Sequence, residues 1–192
     1  MANTPIKKRI IVAVTAASGA VYARLTLEAL LGAPQVERIA LICSDRAREV
    51  AEFEGERLPE SSRIDIYRND DMFAPVASGS ARYDAMIVVP CTVGTVGRVA
   101  AGVSQSLIER AADVMLKERR PLVLVVREAP YSLVHLRNMT AVTECGAVVV
   151  PASPSFYARP RSIEELCRSV VERALAHAGV EAAHYEWPGR EK

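Results

Sequence analysis

The sequence predicts an α/β fold with a doubly wound, mainly parallel sheet between two layers of helices, and three observations carry that expectation. Strand-like and helix-like segments alternate along the chain. Several strand-like segments are unbroken apolar runs, such as Ile10-Ile11-Val12-Ala13-Val14, which suit strands buried on both faces. The first run passes through a turn of small residues straight into helical spacing, and crossovers between parallel strands are right-handed almost without exception. A chain of 192 residues, half of them hydrophobic, builds one well-buried core. A single domain over residues 1–192 is therefore expected, with its core at about 8–178 and a tail from 179 to 192.

Each element has its own justification. After the strand at 10–14, the turn Thr15-Ala16-Ala17-Ser18-Gly19 lets a ligand approach the first unpaired amides of the helix that runs to Leu31. Small residues there also serve to pack a helix closely. Only Gly19 is available in the turn, so the GxGxxG dinucleotide fingerprint is absent. Arg38 to Cys43 reads as a second strand and Arg46 to Glu54 as a helix. Residues 55–80 form a long polar connection with a short strand at Ile64-Asp65-Ile66, and a connection of that length is expected to be functional. Ala85 to Pro90 is a buried strand, stopped by that proline. Helical stretches follow at Thr95 to Ala101 and Ser106 to Glu118, the latter with Leu107, Ala111, Val114 and Met115 on one face. A strand at Leu122 to Val126, a helix at Ser132 to Cys145, a strand at Ala147 to Val150 and an amphipathic helix at Ser162 to Ala178 complete the order. Ser162 with Glu165 three residues on is a capping-box pattern.

Composition excludes several function classes. A formal net charge of +1 with interspersed signs leaves no electrostatic footprint for nucleic acid. No apolar run reaches the length of a membrane span, and no charged-then-apolar leader opens the sequence, so a cytoplasmic location is expected. The cysteines Cys43, Cys91, Cys145 and Cys167 stand far apart, against both a zinc site and a disulfide framework. Cys91 reads as a small apolar residue closing a strand.

Ligands in such folds sit beyond the carboxyl ends of the strands. That rule gathers Ser18, Ser44, the segment Cys91-Thr92-Val93-Gly94-Thr95, and Arg127-Glu128 at one edge. Hydroxyls with one arginine suit a phosphorylated cofactor better than a metal, although serines and threonines after strands are also ordinary helix caps. Arg110 and Lys117 lie seven residues apart on one helix, within a charge run that otherwise reads as a solvated face. Arg127-Glu128 differs, because charge that follows five apolar residues must be paired or used. Tyr157 and Arg159 lie in a loop after the last strand, Arg173 on the closing helix, and Trp187, the sole tryptophan, in the tail.

The segments T-A-A-S-G-A, P-C-T-V-G-T, L-I-E-R-A-A-D-V-M-L-K-E-R-R-P-L-V-L, V-R-E-A-P and P-S-F-Y-A-R-P together resemble the flavin prenyltransferase family, the partner enzymes of reversible aromatic acid decarboxylases. The resemblance runs from about residue 8 to Trp187 and is dense in the second half. It implies a flavodoxin-like or Rossmann-like domain that assembles as a homododecamer with sites where subunits meet. The implied activity is metal-free transfer of a dimethylallyl group from dimethylallyl monophosphate to N5 and C6 of reduced FMN, the product passing to a decarboxylase. Carried over by position, Ala16, Ala17, Ser18, Ser44, Thr92, Val93, Gly94, Thr95 and Arg127 would bind FMN. Lys117, Arg127, Glu128, Tyr157 and Arg173 would hold the dimethylallyl phosphate. Glu54 and Arg110 match further site positions, and Trp187 matches an aromatic wall near the prenyl group.

Two departures stand out. Ala16 replaces the glycine of most relatives, and Val93-Gly94 replaces a pair that in some relatives ends in lysine, removing that charge from the flavin phosphate. Three rival functions share parts of the pattern: a non-catalytic FMN carrier or accessory subunit, an FMN-dependent cysteine decarboxylase, and direct decarboxylation by this chain. The cysteine decarboxylases use an active-site histidine and a P-x-M-N segment. Here His135, His177 and His184 fall outside the strand-end turns and no P-x-M-N occurs.

Overall fold

A computed structural model describes residues 7–181. Six parallel strands form one sheet: β1 (Lys8–Val14), β2 (Val36–Cys43), β3 (Ile64–Arg68), β4 (Ala85–Cys91), β5 (Leu122–Val126) and β6 (Val148–Pro151), in the order β3-β2-β1-β4-β5-β6. That is the order of doubly wound dinucleotide folds, and without the edge strand β3 it is the flavodoxin order. The winding reverses between β1 and β4, which opens a crevice at their carboxyl ends.

Strand alternation divides the core in two. Ile10, Val12 and Val14 of β1 face one way, against α1 (Ala20–Gly32) and α6 (Ile163–His177). Ile11 and Ala13 face the other way, where the layer comprises α3 (Val93–Ala100), α4 (Leu107–Lys117) and α5 (Leu133–Glu144). The predicted face of α4 is there, with Leu107, Ala111, Val114 and Met115 all buried. A short helix, α2 (Ala47–Phe53), follows β2.

Two local expectations change, at Pro90 and at the α6 cap, and the 55–80 connection gains detail. Pro90 is the last residue but one of β4: the strand runs one residue further, to Cys91, which pairs with Val126 after a register shift, because a proline has no N–H for the ladder. The 55–80 connection holds β3 and two 3-10 turns, Pro75–Ala77 and Gly79–Ala81. Its visible work is structural, since Asn69 accepts the Leu107 N–H on its carbonyl at 2.7 Å and the Ile108 N–H on Oδ1 at 3.2 Å, capping α4. At α6 the Ser162 hydroxyl caps the Glu165 N–H at 3.1 Å, but Glu165 returns its bond to the Arg161 N–H at 2.7 Å rather than to Ser162.

Candidate active site

The crevice is locked at its floor by one buried hydroxyl. Thr15 Oγ1, at the end of β1, donates to the Pro90 carbonyl at 2.8 Å and accepts the Thr92 N–H at 2.9 Å. The two strands that bound the switch point are thereby pinned together just below the ligand-facing turns. Nothing in the local sequence marks Thr15, because its partners lie more than seventy residues away.

Above Thr15 the small-residue turn leads into α1. Gly19 sits at φ +103°, a left-handed conformation that side chains resist, and a β-carbon there would strike the Tyr22 ring at 2.8 Å. The α1 N-terminus has no cap from its own N-terminal residue. The cap comes from Glu54, just past α2. Its carboxylate accepts the Gly19 N–H at 2.9 and 3.0 Å and the Ala20 N–H at 2.7 Å, where the positive end of the helix favours an anion. Burial pushes the Glu54 carboxyl up, but the Ser18 hydroxyl, the Ala20 and Gly19 amides and the Arg127 charge outweigh it. They hold the carboxyl below the usual glutamate range. Ser18, in the β1 turn, thus bonds to Glu54 at the end of α2, and Arg127, at the end of β5, is near enough for its charge to act on that carboxylate.

Glu128 follows Arg127 at the same edge, half-buried, with Oε1 accepting the Ala129 N–H at 3.0 Å. Across the crevice Thr92 caps α3, its Oγ1 accepting the Thr95 N–H at 3.2 Å and contacting Thr95 Oγ1 at 2.9 Å. The Val93 and Gly94 amides then head the helix, where no intrahelical acceptor exists for them. A β-carbon on Gly94 would stand 3.4 Å from Arg98 Nη1, so a cation one turn later occupies the region that a residue 94 side chain would enter. Arg98 is held there by an ion pair with buried Glu109 and by Thr95 Oγ1 at 3.3 Å.

Whether an FMN would fit is tested by these same residues. The Ser44 hydroxyl oxygen is buried and has no hydrogen-bond partner among the described residues, a costly state unless a ligand completes it. Ser44, free amides at the head of α3, small Ala16 and Ala17 and the cation Arg98 suit a ribityl phosphate beside a flat ring. Cys91 is fully buried and burial pushes its thiol up to about 12, as fits a packing residue.

The remaining predicted residues divide. Ser155 ties the Tyr157 loop to α6 through its N–H, which donates to Ser169 Oγ at 3.0 Å. Arg173 lies one turn beyond Ser169 and lines a cavity with Ser155, Ala158 and Ser169, so loop and helix are brought together. Lys117 and Arg110 do not join them. Helix α4 runs back along the sheet, so its last residue, Lys117, lies toward the amino ends of the strands, exposed and 2.5 Å from Glu118 Oε1. Arg110 is spent on the Ala77 carbonyl at 3.0 Å and Asp113 at 2.8 Å. Trp187 lies outside the described residues. Among the described residues there is no group of side chains suited to a metal, and no helix is long and apolar enough to cross a membrane.

The chain matches the model of the Flavoprotein family over residues 2–175. Flavin prenyltransferase UbiX of Thermoplasma acidophilum is 43% identical over 175 residues, which are 90% of this chain and 95% of that one. Its namesake in Pseudomonas aeruginosa is 42% identical over 191 residues, covering 90% of each. Among solved structures, AnUbiX (PadA1) in complex with FMN and dimethylallyl pyrophosphate superposes with a TM-score of 0.90 at 43% identity, over 96% of this chain and all of that one. A dodecameric FMN-dependent UbiX-like decarboxylase from Escherichia coli O157:H7 gives 0.86 at 39% identity, over 94% and 100%. The cysteine decarboxylase TvaF, at 17% identity and 0.62, shares the fold.

Proposed function

The chain belongs to the Flavoprotein family and, within it, to the flavin prenyltransferases, and from that premise we propose that it joins a dimethylallyl group from dimethylallyl monophosphate to N5 and C6 of reduced FMN. The observation that carries the reading is the Glu54 carboxylate seated on the Gly19 and Ala20 amides within reach of the Arg127 charge, together with a buried Ser44 hydroxyl at a neighbouring strand end that has no hydrogen-bond partner among the described residues. A carrier would need the cradle but not a carboxylate and a guanidinium beside it.

The reduced flavin supplies the nucleophile, so the protein needs no activated serine. Ser18 orients the ring edge by hydrogen bonding. Arg127, Lys117, Tyr157 and Arg173 grip the phosphate and neutralise the charge that builds on it as the allylic carbon–oxygen bond breaks. The aromatic face assigned to Trp187 stabilises positive charge on the allylic carbons. Glu128, seated beside Arg127, carries a proton between the flavin edge and the departing phosphate.

Lys117 and Arg110 enter this scheme from another copy of the chain, in a homododecamer whose sites lie where subunits meet. Large exposed apolar side chains support such burial between copies: Phe53, Phe73, Leu133, Val134, Phe156 and Ile163 are each more than half exposed. The product passes to a partner decarboxylase in the cytoplasm.

The test is the mass of the flavin recovered after anaerobic incubation of the protein with FMN, dithionite and dimethylallyl monophosphate. An added five-carbon unit is expected, with the diphosphate ester run in parallel to settle the donor. Unchanged FMN with both donors would favour the carrier.

A further inference from the structure

We propose that Arg24 is a positioning residue for the prenyl-transfer site: it clamps the segment that carries Glu54 onto α1, and ties both to the start of α6. The inference rests on the reading of the crevice given above, and its first test does not.

Arg24 lies on α1 one turn beyond Ala20, hence on the same face as the amides that Glu54 caps. All three guanidinium nitrogens are used. Nε donates to Glu56 at 2.6 Å, Nη1 to Glu28 at 3.0 Å and Nη2 to Glu164 at 2.5 Å. The Arg24 and Glu56 side chains are only 18% and 20% exposed, so this pair is better shielded from water than a surface ion pair. One cation facing three carboxylates exceeds what neutralisation needs. What it gains is geometry, because the carboxylates come from α1, from the chain after α2 and from the first turn of α6.

The sequence between the two clamped glutamates explains why the clamp reaches Glu54. Gly55, at φ +75°, reverses the chain at the end of α2, with its N–H on the Glu52 carbonyl at 3.0 Å and the Glu56 N–H on Ala51 at 2.8 Å. Glu54 and Glu56 therefore both turn toward α1 and meet it one turn apart. Releasing Glu56 frees the short segment that aims Glu54 at Gly19 and Ala20. Glu164 lies in the first turn of α6, so the same cation also holds the start of that helix against α1.

The first test reads hydrogen exchange at the Gly19 and Ala20 amides, whose acceptor is Glu54. Arg24→Gln and Glu56→Gln should speed exchange there by roughly tenfold, the scale of one lost hydrogen bond, and Arg24→Lys should lie between them and wild type. Exchange at wild-type rates in Arg24→Gln and in Glu56→Gln overturns the proposal. Glu56→Gln and Arg24→Lys keep the test alive if Arg24→Gln does not fold. The second test is kinetic: Arg24→Gln should lower kcat with KM for dimethylallyl monophosphate nearly unchanged, and the loss should vanish in a Glu54→Gln background. Full additivity with Glu54→Gln would also overturn it. A wild-type protein that does not prenylate FMN would refute the functional reading instead, and the exchange result would still judge Arg24.

Discussion

The two halves of the proposed site are built to different degrees. On the flavin side, Thr15, Gly19, Glu54, Thr92 and Thr95 are fixed to one another by hydrogen bonds within a single chain, down to a helix capped by a carboxylate from another element. On the phosphate side, Tyr157 and Arg173 share one region while Lys117 points away along a helix that leaves the crevice. The contrast teaches that one protomer builds its cradle alone, whereas the proposed grip on the leaving group needs a second copy to be complete.

Substitutions that respect this division should separate binding from chemistry. The largest effect is expected at Glu128→Gln, which keeps FMN bound but slows prenyl transfer by about 10²–10⁴-fold, the range for a lost general acid or base. Wild-type turnover in that variant would remove Glu128 from proton transfer. Lys117→Ala should lose about 10²–10³-fold in turnover through lost charge stabilisation. Titrated flavin affinity should stay at the wild-type value, and a parallel loss of FMN would blur the two halves.

Thr15→Val attacks the other side. It orphans the Thr92 N–H at the switch point, at a cost of about 1–3 kcal/mol, read as a lower melting temperature together with weaker FMN binding. The smallest effect is the pH dependence of Glu54. Its folded carboxyl titrates below the usual 4.5, so its contribution to stability is complete above that value and is lost as pH falls through the lowered one. The melting-temperature gap between wild type and Glu54→Gln should therefore hold down to about pH 5 and close only below the ordinary glutamate range. Closure above it would mean that the helix amides do not hold the carboxylate.

Much of this was legible in the chain because apolar runs such as Ile10 to Val14 admit few structures, and parallel winding then dictates where Ser18, Ser44 and Arg127 must gather. The end of β4 fell one residue past Pro90, because a missing N–H shifts a ladder without ending it. The Thr15 latch, the Arg98–Glu109 pair and the Arg24 cluster were invisible since each joins residues whose local patterns look ordinary: a threonine after a strand, a solvated face, a charged turn of helix. Glu54 entered through resemblance alone, and its hold on Gly19 and Ala20 arises only when α2 folds back onto α1. Lys117 shows the opposite limit, because its own surroundings, an exposed helix end beside Glu118, carry no sign of the role proposed for it.

The shared site is tested most directly by co-expressing two variants that are each inactive, Glu128→Gln and Lys117→Ala, and assaying the purified mixed assembly for prenylated flavin. If each site draws Glu128 from one copy and Lys117 from another, random mixing leaves about a quarter of the sites with both intact, and activity returns to roughly that share of wild type. A mixed assembly as inactive as its parents would place both residues in the same copy and contradict the account.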